Sequence, residues 1–226
     1  MTAMPMHPEK NLPPSKEQLL LLEPFVGLGL EAVHLPTTPA ELEHAWRVLT
    51  ACEFVGFDTE ARPTFDKGAV SSGPDVVQFA TASEAFVFQL HHAPAIDTVM
   101  RLLVAPGTVK AGFGLWQDQQ QLQRRLGVRA MPLLDLDLVF RRQGYPRTLG
   151  VKGAIAVVFG RRLVKSRKMT TSNWSSRQLK PNQLLYAAND AYAALRVLQA
   201  LDLARKDLPV WADGQAPQNS ADAARD

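Results

Sequence analysis

A single layered α/β domain, with a mixed β-sheet flanked by helices, is the architecture this sequence predicts. Three apolar, strand-prone runs come first, at residues 53 to 60, 75 to 81 and 85 to 90, and the turn between the last two is short enough for a hairpin. Strand and helix signals then alternate from residue 95, and strands separated by a helix pair in parallel. Length sets the third constraint: 226 residues with 46% hydrophobic and 21% charged side chains support one sizeable core plus tails. That composition excludes collagen-like and wholly disordered classes.

The elements follow in order. Residues 1 to 30 carry Pro13, Pro14 and Pro24 with little alternation, and residues 207 to 226 are rich in Ala, Asp, Gln and Asn; both are expected to be tails around a domain at 31 to 206. A short strand is expected at 31 to 35. Thr38, Pro39 and Glu41 then form a capping-box start for a helix to about Thr50. After the three strands come a helix at 95 to 104, a strand at 109 to 112, a helix at 117 to 126 and a short apolar stretch at 133 to 136. The last third is mostly helical: a helix at 148 to 159, a basic and polar loop at 160 to 177, and a long helix at 181 to 203. In such layered sheets ligands gather at strand ends and helix starts.

Charge is segregated. The net charge is only +3, yet residues 141 to 180 hold eleven Lys or Arg and no Asp or Glu, so the rest of the chain is acidic. A face that tracks phosphates has this character, because neutralising phosphates releases condensed counterions. The single Cys52 can neither close an internal disulfide nor supply a cysteine zinc cluster, which fits a cytoplasmic protein. No signal-like or membrane-spanning run is visible, since the apolar stretch at 19 to 30 is broken by Glu23 and Pro24.

Four carboxylates stand where chemistry is expected. Asp58 and Glu60 close the run Phe54-Val55-Gly56-Phe57, and a spacing of two on a strand points both side chains to one face, where they can share a cation. Asp118 opens the helix that follows Lys110-Ala111-Gly112-Phe113-Gly114. Asp190 lies inside an Ala-rich helix, one turn beyond Tyr186 on the same face. Hard oxygen donors suit magnesium or manganese, and the lack of clustered His and Cys disfavours zinc. A GxxxxGK phosphate loop is absent, which argues against an ATPase.

Phe57-Asp58-Thr59-Glu60, the glycine-containing run leading to Asp118, and the Tyr186 to Asp190 segment together resemble the three motifs of the DEDDy 3′-to-5′ exonuclease family. The likeness covers roughly residues 31 to 203. It looks closest to the Werner-syndrome type of exonuclease domain through Ser172-Asn173-Trp174-Ser175 and the run from Gln183 to Ala194, with ribonuclease D a more distant member of the same broad family. The resemblance implies a ribonuclease H-like fold. It also implies that Asp58, Glu60, Asp118 and Asp190 bind two divalent ions, Mg²⁺ or Mn²⁺, while Tyr186 orients the attacking water.

On that reading the chain is a metal-dependent DNA exonuclease that removes nucleoside 5′-monophosphates from a 3′ end. RNA trimming is the close alternative, and a catalytically idle nucleic-acid-binding module the more distant one. Lys165, Lys168 and Arg177 would hold the strand, and Trp174 would either stack on a base or pack beneath the loop. The sequence departs from relatives twice. Ala61-Arg62-Pro63 follows the acidic pair where an aromatic residue is common, and Lys180 precedes Pro181 where a Thr cap is common, which would forgo about 1 kcal/mol of capping.

Overall fold

The computed structural model describes residues 11–63, 73–145 and 148–212. Its elements are α1 (Lys16–Leu21), β1 (Val33–His34), α2 (Pro39–Thr50), β2 (Phe54–Glu60), β3 (Val76–Ala80), β4 (Ala85–Gln89), α3 (Ala93–Leu103), β5 (Val109–Gly112) and α4 (Trp116–Leu126). There follow β6 (Leu133–Asp135), α5 (Leu136–Arg142), α6 (Gly150–Phe159), α7 (Arg167–Thr170) and α8 (Pro181–Leu201). One six-stranded sheet runs in the order β1-β4-β3-β2-β5-β6. Strand β3 pairs antiparallel with both β2 and β4, while β1 with β4, β2 with β5, and β5 with β6 are parallel. The mixed sheet follows from connection length: a short turn returns β3 to β4, whereas the strands beyond them are reached through helices.

Strand alternation sends two sets of side chains to two faces. Val55 and Phe57 of β2, Val77 and Phe79 of β3, and Phe86 and Phe88 of β4 bury against Leu42, Ala45 and Leu49 of α2 and Val99 and Leu102 of α3. On the other face Val76, Ala80, Ala85 and Val87 meet Ala187, Ala188 and Ala191 of α8. The helix starts as expected, with Thr38 accepting the Glu41 N–H and the Glu41 carboxylate accepting the Thr38 N–H. Lys110, fully buried on β5, satisfies its ammonium with the carbonyls of Ala105, Thr108 and Met131.

Three expectations change. The short apolar stretch at 133 to 136 is strand β6 running straight into helix α5, whose start is capped by Asp135 accepting the Asp137 N–H. The strand expected at 31 to 35 shortens to Val33–His34, because a 3₁₀ turn occupies Leu30–Ala32. The stretches expected as tails also pack. Phe25 lies against Phe159 and Tyr192, its N–H donates to the Arg162 carbonyl, and Trp211 exchanges both backbone hydrogen bonds with Leu133. Apolar side chains among the prolines and polar residues, invisible to a periodicity reading, account for this docking.

Gly56 is where α8 comes closest to the sheet. A Cβ built there would stand 1.9 Å from the Ala191 carbonyl oxygen, a contact that only displacement of the helix could relieve. Gly56→Ala is therefore expected to destabilise the protein by roughly 1–3 kcal/mol, read as a lowered urea midpoint with an unchanged slope.

Candidate functional site

The site lies at the end of β2, under the middle of α8. Because Gly56 faces Ala191, the same alternation puts Asp58 and Glu60 on the α8 side of the sheet. Asp190 comes down from α8 to meet them and is itself 5% exposed. Asp58, Glu60 and Asp190 each bring a carboxylate oxygen to within 4.8 Å of the others. Asp118, in the first turn of α4, does not join that trio. It accepts a hydrogen bond from the Thr59 hydroxyl, and its negative charge raises the pKa of Asp58.

Electrostatically the cluster is short of positive charge. Burial pushes Asp58 well above the usual carboxylate range, and repulsion from Asp118 and Asp190 adds to it. Burial with the charges of Asp58 and Asp190 raises Glu60 to about 9, and burial also raises Asp118 and Asp190. Lys165 opposes the shifts of Asp58, Glu60 and Asp190. Its ammonium lies 2.6 Å from Asp190 Oδ2 and 5.3 Å from the ring centre of Tyr186. A partly buried set of hard oxygen donors that the nearby ammonium groups leave underneutralised fits a divalent cation.

A cleft of about 240 Å³ opens beside the acids, lined by Asp58, Lys165 and Asp190 together with Phe113, Gly114 and Val151. Tyr186 lies half-buried one turn before Asp190; its hydroxyl stands 3.4 Å from the Thr170 hydroxyl and its ring packs on Trp174. Asp58, Glu60, Asp190 and Tyr186 are thus gathered at one place, with Asp118 held beside them by Thr59.

The four expected strand-holding residues divide. Lys168 is exposed on the short helix α7, which interrupts the loop expected at 160 to 177, and Arg177 is exposed on the loop between α7 and α8; both lie outside the cleft. Lys165 reaches from the loop before α7 into the acids. Trp174 cannot stack on a base: it is fully buried among Val76, Ala80, Val87 and Leu179. Its partners Ser172 and Asn173 receive hydrogen bonds from the Gln183 amide, which also accepts the Lys180 N–H. Gln183 thus satisfies the N–H of Lys180, while no side chain at the N-cap accepts from the first turn of α8, as the missing Thr implies.

Several contributors lie outside the motifs that the sequence singles out. Thr59 sits between the two motif acids, and its hydroxyl fastens Asp118. Asp135 accepts the N–H groups of Gly114 and Leu115, fixing the turn into α4, and Asp137 accepts those of Leu149 and Gly150 at the start of α6. Gln78 lies directly across from Asp58 in the β2–β3 register, fully buried. The two aspartates stand two apart like Asp58 and Glu60, a spacing that could have singled them out.

The sequence pattern described as 3′-5′ exonuclease matches residues 33–204. Among curated proteins the chain is 29% identical over 169 residues to the mouse bifunctional 3′-5′ exonuclease/ATP-dependent helicase WRN, covering 74% of this chain and 12% of that one. It is 31% identical over 158 residues to a 3′-5′ exonuclease of Arabidopsis thaliana, covering 69% of this chain and 54% of that one. Solved structures with the same fold include Escherichia coli RNase D, with TM-score 0.65, 20% identity, and coverage of 75% of this chain and 44% of that one. Trypanosoma brucei RNase D complexed with RNA U12 gives 0.66, 24% identity, and coverage of 78% and 64%. The fold is thus the ribonuclease H-like one expected, and by the match that spans its acids, its cleft and helix α8, the chain belongs to the 3′-5′ exonuclease family.

Proposed function

We propose that this chain hydrolyses the terminal phosphodiester of DNA from a 3′ end, using two divalent cations and releasing nucleoside 5′-monophosphates. The observation that carries the reading is the convergence of Asp58, Glu60 and Asp190 within 4.8 Å inside a family-matched domain. These three, with Asp118, would hold the cations. Bound there, divalent cations supply the charge that makes water nucleophilic and stabilises the leaving 3′ oxygen.

The protein's own groups have separable tasks. Asp190 is paired with the Lys165 ammonium, whereas Glu60, raised to about 9 by burial and its acidic neighbours, would take up its full charge with a bound cation. The Tyr186 hydroxyl, one helical turn from Asp190, orients the attacking water toward the phosphorus. Its ring rests on Trp174, which holds that hydroxyl at a fixed height over the acids. Lys168 on α7 and Arg177 on the loop before α8, both exposed, hold the strand upstream of the cleft through its phosphates.

RNA trimming is the second reading. It is favoured by the RNase D structures that share the fold, one of them described as an exoribonuclease involved in structured RNA processing. Assaying 5′-labelled single-stranded, overhanging and blunt DNA beside RNA, with and without Mg²⁺ or Mn²⁺, decides between them. A ladder shortening from the 3′ end, abolished by a bulky 3′ block, is the expected product pattern on DNA. Internal fragments appearing first would mark an endonuclease, and binding without cleavage an idle module. The double variant Asp58→Ala, Glu60→Ala is expected to stay folded and lose at least about 10³-fold in single-turnover rate.

The two functional residues of α8 should respond differently. Asp190→Asn should shift the metal midpoint as well as the rate, because it removes a charged ligand. Tyr186→Phe keeps the ring that packs on Trp174, so it should lower the saturated rate by about 10- to 10³-fold with the metal midpoint unchanged. Single-turnover rates across a magnesium titration check this, with circular dichroism as the folding control.

Salt dependence tests the basic loop. Lys168→Gln with Arg177→Gln is expected to flatten the slope of log affinity against log salt by about 0.7 per lost single-strand phosphate contact. Fluorescence anisotropy of a labelled oligonucleotide between low and moderate salt provides the measurement, and an unchanged slope would leave the loop a solvated surface.

A further inference from the structure

We propose that Lys165 is an exchangeable internal cation: in the metal-free protein its ammonium occupies the carboxylate cluster, and on divalent-cation binding it leaves Asp190 and turns into the adjoining cleft, where the scissile phosphate would lie. The proposal rests on reading the cluster as a divalent-cation site. It concerns a residue that composition placed merely on a basic surface.

Three observations carry it. Lys165 Nζ makes contact with Asp190 Oδ2 at 2.6 Å, and the Lys165 side chain is 17% exposed, the Asp190 side chain 4%. The same Asp190 belongs to the trio whose oxygens converge within 4.8 Å. An ammonium in contact with that carboxylate and a divalent cation bound by it would be like charges a few ångströms apart in a poorly solvated place, where repulsion is strongest. One has to yield.

The loop geometry permits the exchange without moving the backbone. Upstream, Arg162 is pinned by backbone hydrogen bonds with Glu23 and Phe25 and by its own Nε donating to the Leu22 carbonyl. Val164 beside Lys165 is 65% exposed, so the lysine reaches inward from a surface loop on its flexible four-carbon stem. Lys165 also lines the 240 Å³ cleft together with Asp58 and Asp190. Rotation about the stem therefore takes the ammonium from the acids into the cleft, away from the ring of Tyr186. There an anionic oxygen of a phosphodiester would replace the lost carboxylate.

The balance of charge gives the exchange its direction. The coulombic pull of Lys165 reaches Asp58 and Glu60 as well as Asp190, and Lys152 adds a smaller pull on Asp190, so the acids still outnumber the ammonium groups near them. Without metal, Lys165 stabilises the fold by offsetting part of that repulsion. With metal, the same charge is surplus at the acids and useful at the phosphate.

Calorimetric titration of Mn²⁺ into the full chain, without nucleic acid, tests this on wild type, Lys165→Met, Lys165→Gln and the surface control Lys168→Met. Both Lys165 variants should bind Mn²⁺ at least about 3-fold more tightly than wild type, whereas Lys168→Met should match it. In thermal melts both should unfold below wild type without metal, and the gap should close at saturating Mn²⁺. In wild type itself, Mg²⁺ should shift the ε-carbon resonance of Lys165, a readout that needs no variant to fold. Equal or weaker Mn²⁺ binding by the folded Lys165 variants, or an unmoved Lys165 resonance at saturating Mg²⁺, would overturn the exchange while leaving the cation site intact. Wild type that takes up no Mn²⁺ would overturn the divalent-cation reading, and this proposal with it.

Discussion

Everything at this site depends on how closely helix α8 lies on strand β2. The helix meets the sheet through Ala187, Ala188 and Ala191, and the strand meets the helix through Gly56, so neither side presents bulk at the crossing. Backbone-to-backbone approach of this kind lets a mid-helix aspartate reach acids at the end of a strand. A larger side chain at the contact would press on the Ala191 backbone and so shift Asp190, its neighbour, relative to Asp58 and Glu60. The energetic cost is concentrated in the same place, since close packing brings like charges together in a region with little water.

Secondary supports keep the other components in register. Asp135 ties the β5–α4 turn through two N–H groups and so sets where Asp118 emerges, while Thr59 holds that carboxylate from the strand side. Asp137 does the same for the start of α6, which helps to line the cleft. Trp174 is the filler under Tyr186, and Gln183 links the loop around Trp174 to the first turn of α8. The turns that carry the site residues are thus fixed largely by polar side chains, Asp135, Asp137 and Gln183, that bond to backbone.

Much of the architecture was legible because it rests on periodicity and caps. The helix at Pro39–Thr50 was readable from Thr38, Pro39 and Glu41, and the strand at Val109–Gly112 from its β-branched start and glycine end. The acids were legible for a different reason: Asp58 and Glu60 interrupt an apolar strand and Asp190 an alanine face, and such interruptions require an explanation. What stayed hidden is what sequence distance hides. The partnership of Lys165 with Asp190 spans a loop and a helix, and composition could assign that lysine only to a basic segment. Trp174 was ambiguous because an aromatic residue in a polar loop can face either way, and only the sheet's second layer decides that it faces in. Phe25 and Trp211 were overlooked because isolated apolar residues among prolines and polar side chains leave no repeat to detect.

The N-terminal stretch before β1 has a consequence for what counts as the domain. Asn189, the neighbour of Asp190, uses its side-chain amide to accept the Leu28 N–H and to donate to the Leu28 carbonyl, imitating a strand partner. A few residues earlier the same stretch is bonded to Arg162, three positions from Lys165. Residues 22–28 therefore clip the loop that delivers the lysine to the helix that delivers the aspartate. The family-matched span of 33–204 begins after this clip and stops short of Trp211, so the region that defines membership is smaller than the unit that folds around the acids. Homology marks the chemistry here, and the segments outside it hold two of the chemical elements at a fixed separation.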